Sequence, residues 1–339
     1  MDLIILTRQY GYYTGATTAT QELVTRFKNN FKNIFVITLK SSVSSNLIDN
    51  VTIKECSNLW EMNKVLKSLN NNNILGYSDD HFGFIFHYYN IRYVHTYHGN
   101  WPDLRYQGIQ YLIKSLLLMP MYKKTIRCAN FVASVSYYML KKFVAKLNRN
   151  SEVVYNGIKQ IGFNHYGERK LKRRTTRFIM VGNIDRRKYK KAINIFHNIG
   201  TSKNISVSIY GKKIDKKICK KLEAFPFVFL KGAQDNIDFS KYDCMIITSS
   251  SENLPISIVE ALIAGIPVFG FNIGGLNEVV FNGENGYLFE FNEIDKFAKN
   301  IINFKNQYNV INYNSIYKQF DWDKAAAKYL DKFRKLNLH

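Results

Sequence analysis

Residues 243–289 read DCMIITSSSENLPISIVEALIAGIPVFGFNIGGLNEVVFNGENGYLF. A short apolar run, Cys244–Thr248, has strand composition and ends in Ser249-Ser250-Ser251. Asn253 is placed to cap a helix N-terminus and Pro255 to sit at its start, so a helix is predicted over Ser257–Ala264. Gly265-Ile266-Pro267-Val268 then turns tightly into a second buried strand, Pro267–Phe271, and Tyr287–Phe289 makes a third. Strand, helix and strand at this spacing make a parallel βαβ unit.

The same alternation extends through the chain. Before this segment, strands are predicted at Leu3–Thr7, Ile34–Leu39, Ile74–Ser78, Tyr93–Tyr97, Phe131–Ser136, Phe178–Val181, Ser206–Tyr210 and Phe227–Leu230. Helical stretches such as Thr20–Asn29 and Leu59–Leu69 separate them. At 339 residues the chain exceeds the roughly 250–300 at which one core usually divides. The expectation is an α/β protein of two doubly wound, parallel-sheet, Rossmann-like domains facing each other across a cleft. Residues 1–160 form the first and 161–317 the second, and a C-terminal helix, 318–339, crosses back. The boundary falls near Asn156–Arg174, where Gly157, Gly162 and Gly167 precede the basic run Arg169–Arg174. In open α/β sheets ligands sit at the carboxyl ends of strands, so function is sought in the loops there.

The loop after Cys244–Thr248 is the most informative of these. The free N–H groups and positive dipole end of the helix behind it, near Asn253, Leu254, Pro255 and Ile256, suit an anion such as a diphosphate. Glu252 lies on the loop and Glu260 about two turns inside the helix, so one carboxylate can reach past the phosphates while the other accepts hydrogen bonds from hydroxyls. A bare pair of glutamates at this spacing is more often a first-turn Glu with a solvated helix Glu. The longer pattern changes that weighing: Ser249–Ser251, Glu252, seven residues, Glu260-Ala261, Gly265-x-Pro267-Val268, Gly274-Gly275-x-x-Glu278 and Gly283-x-x-Gly286. It closely resembles the donor-binding signature of the family-4 glycosyltransferases, which have the GT-B fold.

The resemblance implies a retaining transferase that uses a nucleotide-diphosphate sugar (UDP- or GDP-linked), with Glu252 near the transferring sugar and Glu260 on the ribose. Its weaker part covers nearly the whole chain. Tyr155–Ile158 is similar to the entry into the second domain. Phe178–Gly182 followed by Lys188 is similar to that domain's first strand and a diphosphate-binding Lys. The family commonly has Arg directly after that glycine; here Asn183 stands there, and a neutral amide lacks the charge and the forked donors of a guanidinium. Arg186 and Arg187 are the two candidates to replace it. In the first half, Gly11 and Gly15 resemble the family's glycine loop. His98-Gly99 resembles its His-Gly loop near acceptor and sugar, which makes His98 a candidate catalytic group with Glu252 and Lys188. His95 is read as structural. Asp321-x-Asp323 is read as a helix cap and not as a metal site. The expectation is therefore no metal and no cofactor, the diphosphate being neutralised by Lys188 and a helix N-terminus.

A formal net charge of +22 calls for a polyanionic partner or reflects a Lys- and Asn-rich composition. Nucleic acid would normally need a reading element such as a recognition helix or zinc finger, and none is present, so no nucleic-acid partner is expected. Tyr111–Arg127 interleaves apolar and basic residues and reads either as an element lying on an anionic membrane surface or as a core helix followed by a basic turn. Lys212–Lys221 is read as a solvated helix face. Four scattered cysteines and a start without signal-peptide character lead to the expectation of a cytoplasmic protein, with a peripheral place at the inner face of the membrane as the membrane-surface alternative. The expected acceptor is a glycan or a lipid-linked glycan, as in surface polysaccharide synthesis.

Overall fold

The computed structural model describes residues 1–12, 14–43, 49–69, 73–158, 175–201, 204–234, 236–305 and 318–338. Of the expected boundary stretch, residues 159–174, which include Gly162, Gly167 and Arg169–Arg174, lie outside them. The chain divides into two compact units, Met1–Lys159 with Gln319–His339, and Gln160–Lys318.

The first unit is built on seven parallel strands: β1 (Asp2–Thr7), β2 (Ile34–Thr38), β3 (Val51–Glu55), β4 (Ile74–Ser78), β5 (Tyr93–Tyr97), β6 (Phe131–Ser134) and β7 (Ser151–Val153). Their spatial order is β3-β2-β1-β4-β5-β6-β7. β1 shows why this sheet lies in the middle of the unit. Leu3 and Ile5 face one apolar cluster, while Ile4 and Leu6 face another, and all four are fully buried. Successive side chains of a strand point to opposite faces, so a run without polar interruption needs cover on both. Helices α1 (Gly15–Phe27), α2 (Leu59–Leu69), α3 (Phe84–Tyr88), α4 (Trp101–Leu104), α5 (Ile109–Cys128) and α6 (Tyr137–Met139) connect the strands.

Two edge strands, β3 and β7, were not expected. β3 has two apolar residues, Val51 and Ile53, among polar ones and buries only Val51, and β7 has three half-buried residues, so neither carries an apolar run. α1 starts five residues before the predicted Thr20. Thr14 caps it, its hydroxyl accepting from Thr17 N–H while the Thr17 hydroxyl takes the Thr14 N–H. Of the two readings of Tyr111–Arg127, the one with a basic turn after a core helix is corrected in its second half: Lys123, Lys124 and Arg127 lie within α5, which continues to Cys128.

The second unit holds six parallel strands: β8 (Thr176–Val181), β9 (Ile205–Tyr210), β10 (Val228–Gly232), β11 (Cys244–Ile247), β12 (Val268–Phe271) and β13 (Gly286–Phe289). Their order, β10-β9-β8-β11-β12-β13, repeats that of β3 to β6. Both sheets thus follow a doubly wound order with a switch point beside the first strand of the unit. Helices α7 (Arg186–Ile199), α8 (Lys216–Glu223), α9 (Ile256–Ile263) and α10 (Ile294–Ile302) cover this sheet. Its core joins Phe178, Val207, Ile246 and Phe269 to Phe196 of α7 and Phe297 of α10.

The last helix, α11 (Trp322–Asn337), packs in the first unit. Asp321 caps it, accepting from the N–H groups of Asp323 and Lys324, and the Asp323 carboxylate pairs with Arg26 of α1 at 2.6 Å. Gly157 lies so close to Trp322 that a Cβ there would stand 2.3 Å from the Trp322 nitrogen.

Candidate functional site

In the second unit the carboxyl ends of β8 and β11 carry the chemistry. Gly182 follows β8 with a positive φ of 142°, and Lys188 runs over it, its Nζ 2.7 Å from where a Cβ would project. Asp185 caps α7 by accepting from Lys188 N–H at 2.8 Å, which fixes the turn from which Arg187 and Lys188 emerge. The loop after β11 fastens to the same turn. The Thr248 hydroxyl donates to the Lys188 carbonyl at 2.7 Å, the Ser250 N–H donates to the Arg187 carbonyl at 3.0 Å, and the Arg187 guanidinium donates to the Ser251 carbonyl.

These ties bring two cations onto one carboxylate. Glu252 Oε1 lies 3.0 Å from Arg187 Nη1 and 3.4 Å from Lys188 Nζ, with the Glu252 side chain only 13% exposed. Burial pushes this carboxyl up. The Lys188 and Arg187 charges and the Ser249 hydroxyl outweigh it and hold the group down at about 2. Glu252 is therefore an anion across the physiological range, and its two partners leave one positive charge in excess.

The backbone of Glu252 is held as tightly as its side chain. Gly275 N–H donates to the Asn253 carbonyl at 2.7 Å, and Gly274 turns at φ 58° so close that a Cβ would stand 2.1 Å from the Glu252 carbonyl oxygen. Any other residue at Gly274 would push the loop away.

The helix beginning differs from expectation. Pro255, in extended conformation at φ −69° and ψ 126°, is the residue before the helix, no side chain caps it, and α9 begins at Ile256. Asn253 is not the cap: it is buried two residues further out, its carbonyl engaged by Gly275. Proline drives the residue before it, Leu254, toward extended backbone, so the helix cannot start earlier. Glu260 is thus little more than one turn into α9, half-buried, and not two turns.

The structure brings Gly182, Arg187, Lys188 and Glu252 together, with the start of α9 following directly in the chain. Asn183 turns the other way, its side-chain oxygen accepting from Lys212 N–H at 3.3 Å. Arg186 is exposed, so of the two arginines it is Arg187 that meets the carboxylate. Ser249, Ser251 and Gly274 belong to the signature read in the sequence, but sequence reasoning gave none of them a role of its own. A run of three serines marks a strand end without saying which of them will face a charge.

Gly15 and His98 belong to the first unit. Gly15 is the first residue of α1, and a Cβ there would meet nothing within 4 Å, so the fold does not require glycine at that position. His98 follows β5, and burial pushes its imidazole down to about 4, with Asp80 pulling the other way. His95 is fully buried; its Nδ1 lies 2.8 Å from the Ser78 hydroxyl, and burial pushes it down to about 3. Asp79 receives the Thr20 hydroxyl, and burial pushes its carboxyl up to about 7. Asp80 accepts from Tyr122 at 2.8 Å and contacts the His81 ring; burial would raise it, but those contacts bring it below the usual range. Among the described residues no three His, Cys, Asp or Glu side chains are grouped as a metal site would need.

Comparison with known proteins assigns the region that carries this geometry. Residues 167–320 match the family model described as "Glycosyl transferases group 1". The chain is 24% identical over 260 residues, 70% of its length, to the N-acetyl-alpha-D-glucosaminyl L-malate synthase of Bacillus anthracis. It is 28% identical over 174 residues, 48% of its length, to an uncharacterized 41.2 kDa protein in the cps region of Klebsiella pneumoniae. The matched stretches span 66% and 48% of the lengths of these two relatives. Among solved structures it is similar to Anabaena HepE in complex with UDP-glucose, with a TM-score of 0.75, 16% identity, and 98% of this chain and 99% of that one covered.

Proposed function

We propose that this chain, whose residues 167–320 match the model of the group 1 glycosyltransferases and which has the GT-B fold, transfers a sugar from a nucleoside diphosphate donor to a glycan or lipid-linked acceptor. The observation that carries the reading is the convergence of Arg187 and Lys188 on Glu252 beside the start of α9. Two cations next to a helix start, where the positive end of the helix dipole lies, suit a diphosphate better than a neutral ligand. In this reading the second unit binds the donor. The diphosphate lies against Arg187, Lys188, Gly182 and the Leu254–Ile256 turn, the ribose hydroxyls meet Glu260, and Glu252 stands at the reacting sugar.

During transfer the bond from the anomeric carbon to the diphosphate oxygen breaks, the leaving nucleoside diphosphate takes the electron pair, and an acceptor hydroxyl oxygen bonds to that carbon, its proton passing to the released diphosphate. Charge grows on the diphosphate as this happens, and fixed cations and backbone dipoles stabilise it without reorganising. Arg187 supplies the guanidinium that Asn183 lacks. These groups neutralise the diphosphate in our reading, so no metal is required. His98, kept neutral by burial, belongs to the first unit, to which this reading gives the acceptor. Retention at the anomeric carbon follows from the family-4 signature. The four cysteines are all free, which suits a reducing, cytoplasmic setting. The solved complex of HepE with UDP-glucose makes UDP-sugars the first donors to try.

The test is a donor screen against UDP-, GDP-, ADP- and TDP-sugars, read by thermal shift and nucleotide release with and without EDTA. Stabilisation by one nucleotide series, with release that EDTA leaves unchanged, is expected. Stabilisation by none of them, or release abolished by EDTA, would overturn the reading in whole or in its metal-free part.

A further inference from the structure

Helix α5 presents an unusual outer face. Its inner side is ordinary: Ser115, Tyr122, Thr125 and Ile126 are buried, and the Thr125 hydroxyl donates to the His81 carbonyl at 2.8 Å while accepting from Phe84 N–H at 3.0 Å. The outer side is apolar where water would be expected. Ile109, Ile113, Leu116 and Leu117 are 69, 52, 68 and 68% exposed, at positions i, i+4, i+7 and i+8, hence on one stripe. Single exposed leucines are normal on a protein surface; a continuous stripe marks an interaction face. The stripe then changes character without changing direction. Lys123 and Arg127, seven and eleven residues after Leu116, continue it as exposed cations, and Lys124 beside them stacks on the exposed Tyr88 ring at 4.3 Å.

Beside the stripe a groove of about 480 Å³ is framed by Arg105, Lys123 and Arg127 around Leu112, Leu116 and Met119. From Arg105 to Arg127 the chain carries five cations (Arg105, Lys114, Lys123, Lys124, Arg127) and no carboxylate. Three positive groups over an apolar floor fit a phosphate with the beginning of a hydrocarbon chain. No helix among the described residues is long and apolar enough to cross a membrane. A helix lying flat, about 30 Å long for 20 residues, is the remaining way to bury such a stripe in lipid.

We propose that the outer face of α5 docks this protein on an anionic lipid leaflet, the apolar stripe entering the acyl boundary and the Arg105–Lys123–Arg127 groove holding a lipid phosphate. Charge decides between occupants. A second copy seated through the same face would set five cations against five, a like-charge contact that opposes association. An anionic leaflet supplies both what the stripe needs and what the cations need, at roughly fivefold in partitioning per Lys or Arg near the surface. This extends the transferase reading and does not rest on it, since docking is measured without turnover.

The experiment is vesicle flotation of the full chain. One set of vesicles is phosphatidylcholine alone; the other contains one third phosphatidylglycerol. Two double variants accompany the wild type, Leu116→Ser with Leu117→Ser, and Lys123→Glu with Arg127→Glu. All four positions are exposed, so both variants should melt as the wild type does, and donor-dependent thermal shift reads the second unit separately. The expected result is flotation with the anionic vesicles only, lost in high salt and reduced at least tenfold in each variant. Equal flotation on neutral vesicles, or variants that float like the wild type, would overturn the proposal. So would a wild-type dimer that the Leu116→Ser, Leu117→Ser variant dissociates, which would make a second copy the occupant. Binding to an acidic protein but to no vesicle would overturn it equally.

Discussion

The two sheets share a strand order, yet the carboxyl ends of their central strands handle charge in opposite ways. In the second unit the buried Glu252 is kept ionised by two cations drawn to within 3.0 and 3.4 Å. In the first, His95 within β5, His98 after it and Asp79 after β4 are pushed toward their neutral forms by burial, while Asp80 beside them stays ionised through Tyr122 and His81. The first arrangement holds charge ready for an anion. The second keeps the ionised Asp80 among groups that burial drives toward neutrality, and among the described residues no such pair of cations is drawn onto it. The difference teaches that topology positions a site, while the partners set within hydrogen-bond reach decide its chemistry.

The largest expected effect is at Glu252. Glu252→Gln keeps the shape but removes the charge, leaving Arg187 and Lys188 facing each other without their anion. Turnover should fall about 100- to 1,000-fold, the range for losing one fixed electrostatic group at a reacting centre. Folding should weaken by only about 1–2 kcal/mol, because the cations are 17 and 21% exposed and water takes part of the load. Steady-state assays beside a thermal melt separate the two. A turnover loss under tenfold would remove Glu252 from the chemistry.

Asp79 should respond with the opposite sign. Its carboxyl titrates at about 7 in the fold, against 3.8 for an ordinary Asp, so the fold binds a proton that the unfolded chain gives up. Its contribution to stability is therefore complete below about pH 4 and is lost as pH rises through about 7, at no more than about 1.4 kcal/mol per pH unit. His95 and His98, lowered to about 3 and 4, act oppositely: what they contribute is present above about 6.5 and lost as pH falls. Taking the difference between Asp79→Asn and wild type cancels the histidines. That difference should favour the variant increasingly from pH 5 to pH 8 in melting temperature. A flat difference would show that Asp79 is solvated, and the contrast between the two units would fail.

Gly182→Ala probes the second unit more gently. A positive φ of 142° strains any residue with a Cβ, by about 1–3 kcal/mol, and that Cβ would meet Lys188 Nζ. Donor affinity should weaken several-fold as Lys188 is displaced, which a titration with the best nucleotide from the screen would read.

Much of this was legible in the sequence, for identifiable reasons. Some central strands hold runs without a polar residue, as Leu3–Leu6 shows, and a parallel sheet covered on both faces accounts for them. β3 was missed because an edge strand such as Val51–Glu55 needs burial on one side only. The Glu252 loop stood out through its glycines and prolines. Its pairing with Arg187 and Lys188 did not, since those residues lie 65 and 64 positions earlier and only tertiary structure brings them near. The choice between Arg186 and Arg187 turned on helix phase, which capping by Asp185 sets and composition does not reveal.

The smallest effect concerns how the first unit is closed. Unlike the second, it is made from two separate pieces of chain, and α11 must be held to the rest. Rings do most of this: Phe27 meets Phe333 and Tyr329 edge-on at 5.7 and 6.2 Å. A buried hydroxyl relay adds direction, with Tyr77 donating to Thr96 Oγ1 at 2.9 Å and Thr96 Oγ1 lying 2.7 Å from the Tyr329 hydroxyl. Tyr329→Phe keeps the ring and removes one end of the relay. The Thr96 hydroxyl retains Tyr77 as a partner, so no group is stranded and the loss should be about 1 kcal/mol, near the net worth of one hydrogen bond. Thermal unfolding should show the first unit melting a few degrees lower while the donor-induced shift of the second is unchanged. If the donor-induced shift falls as well, α11 transmits to the second unit, and the two halves cannot be treated as independent in the comparison drawn above.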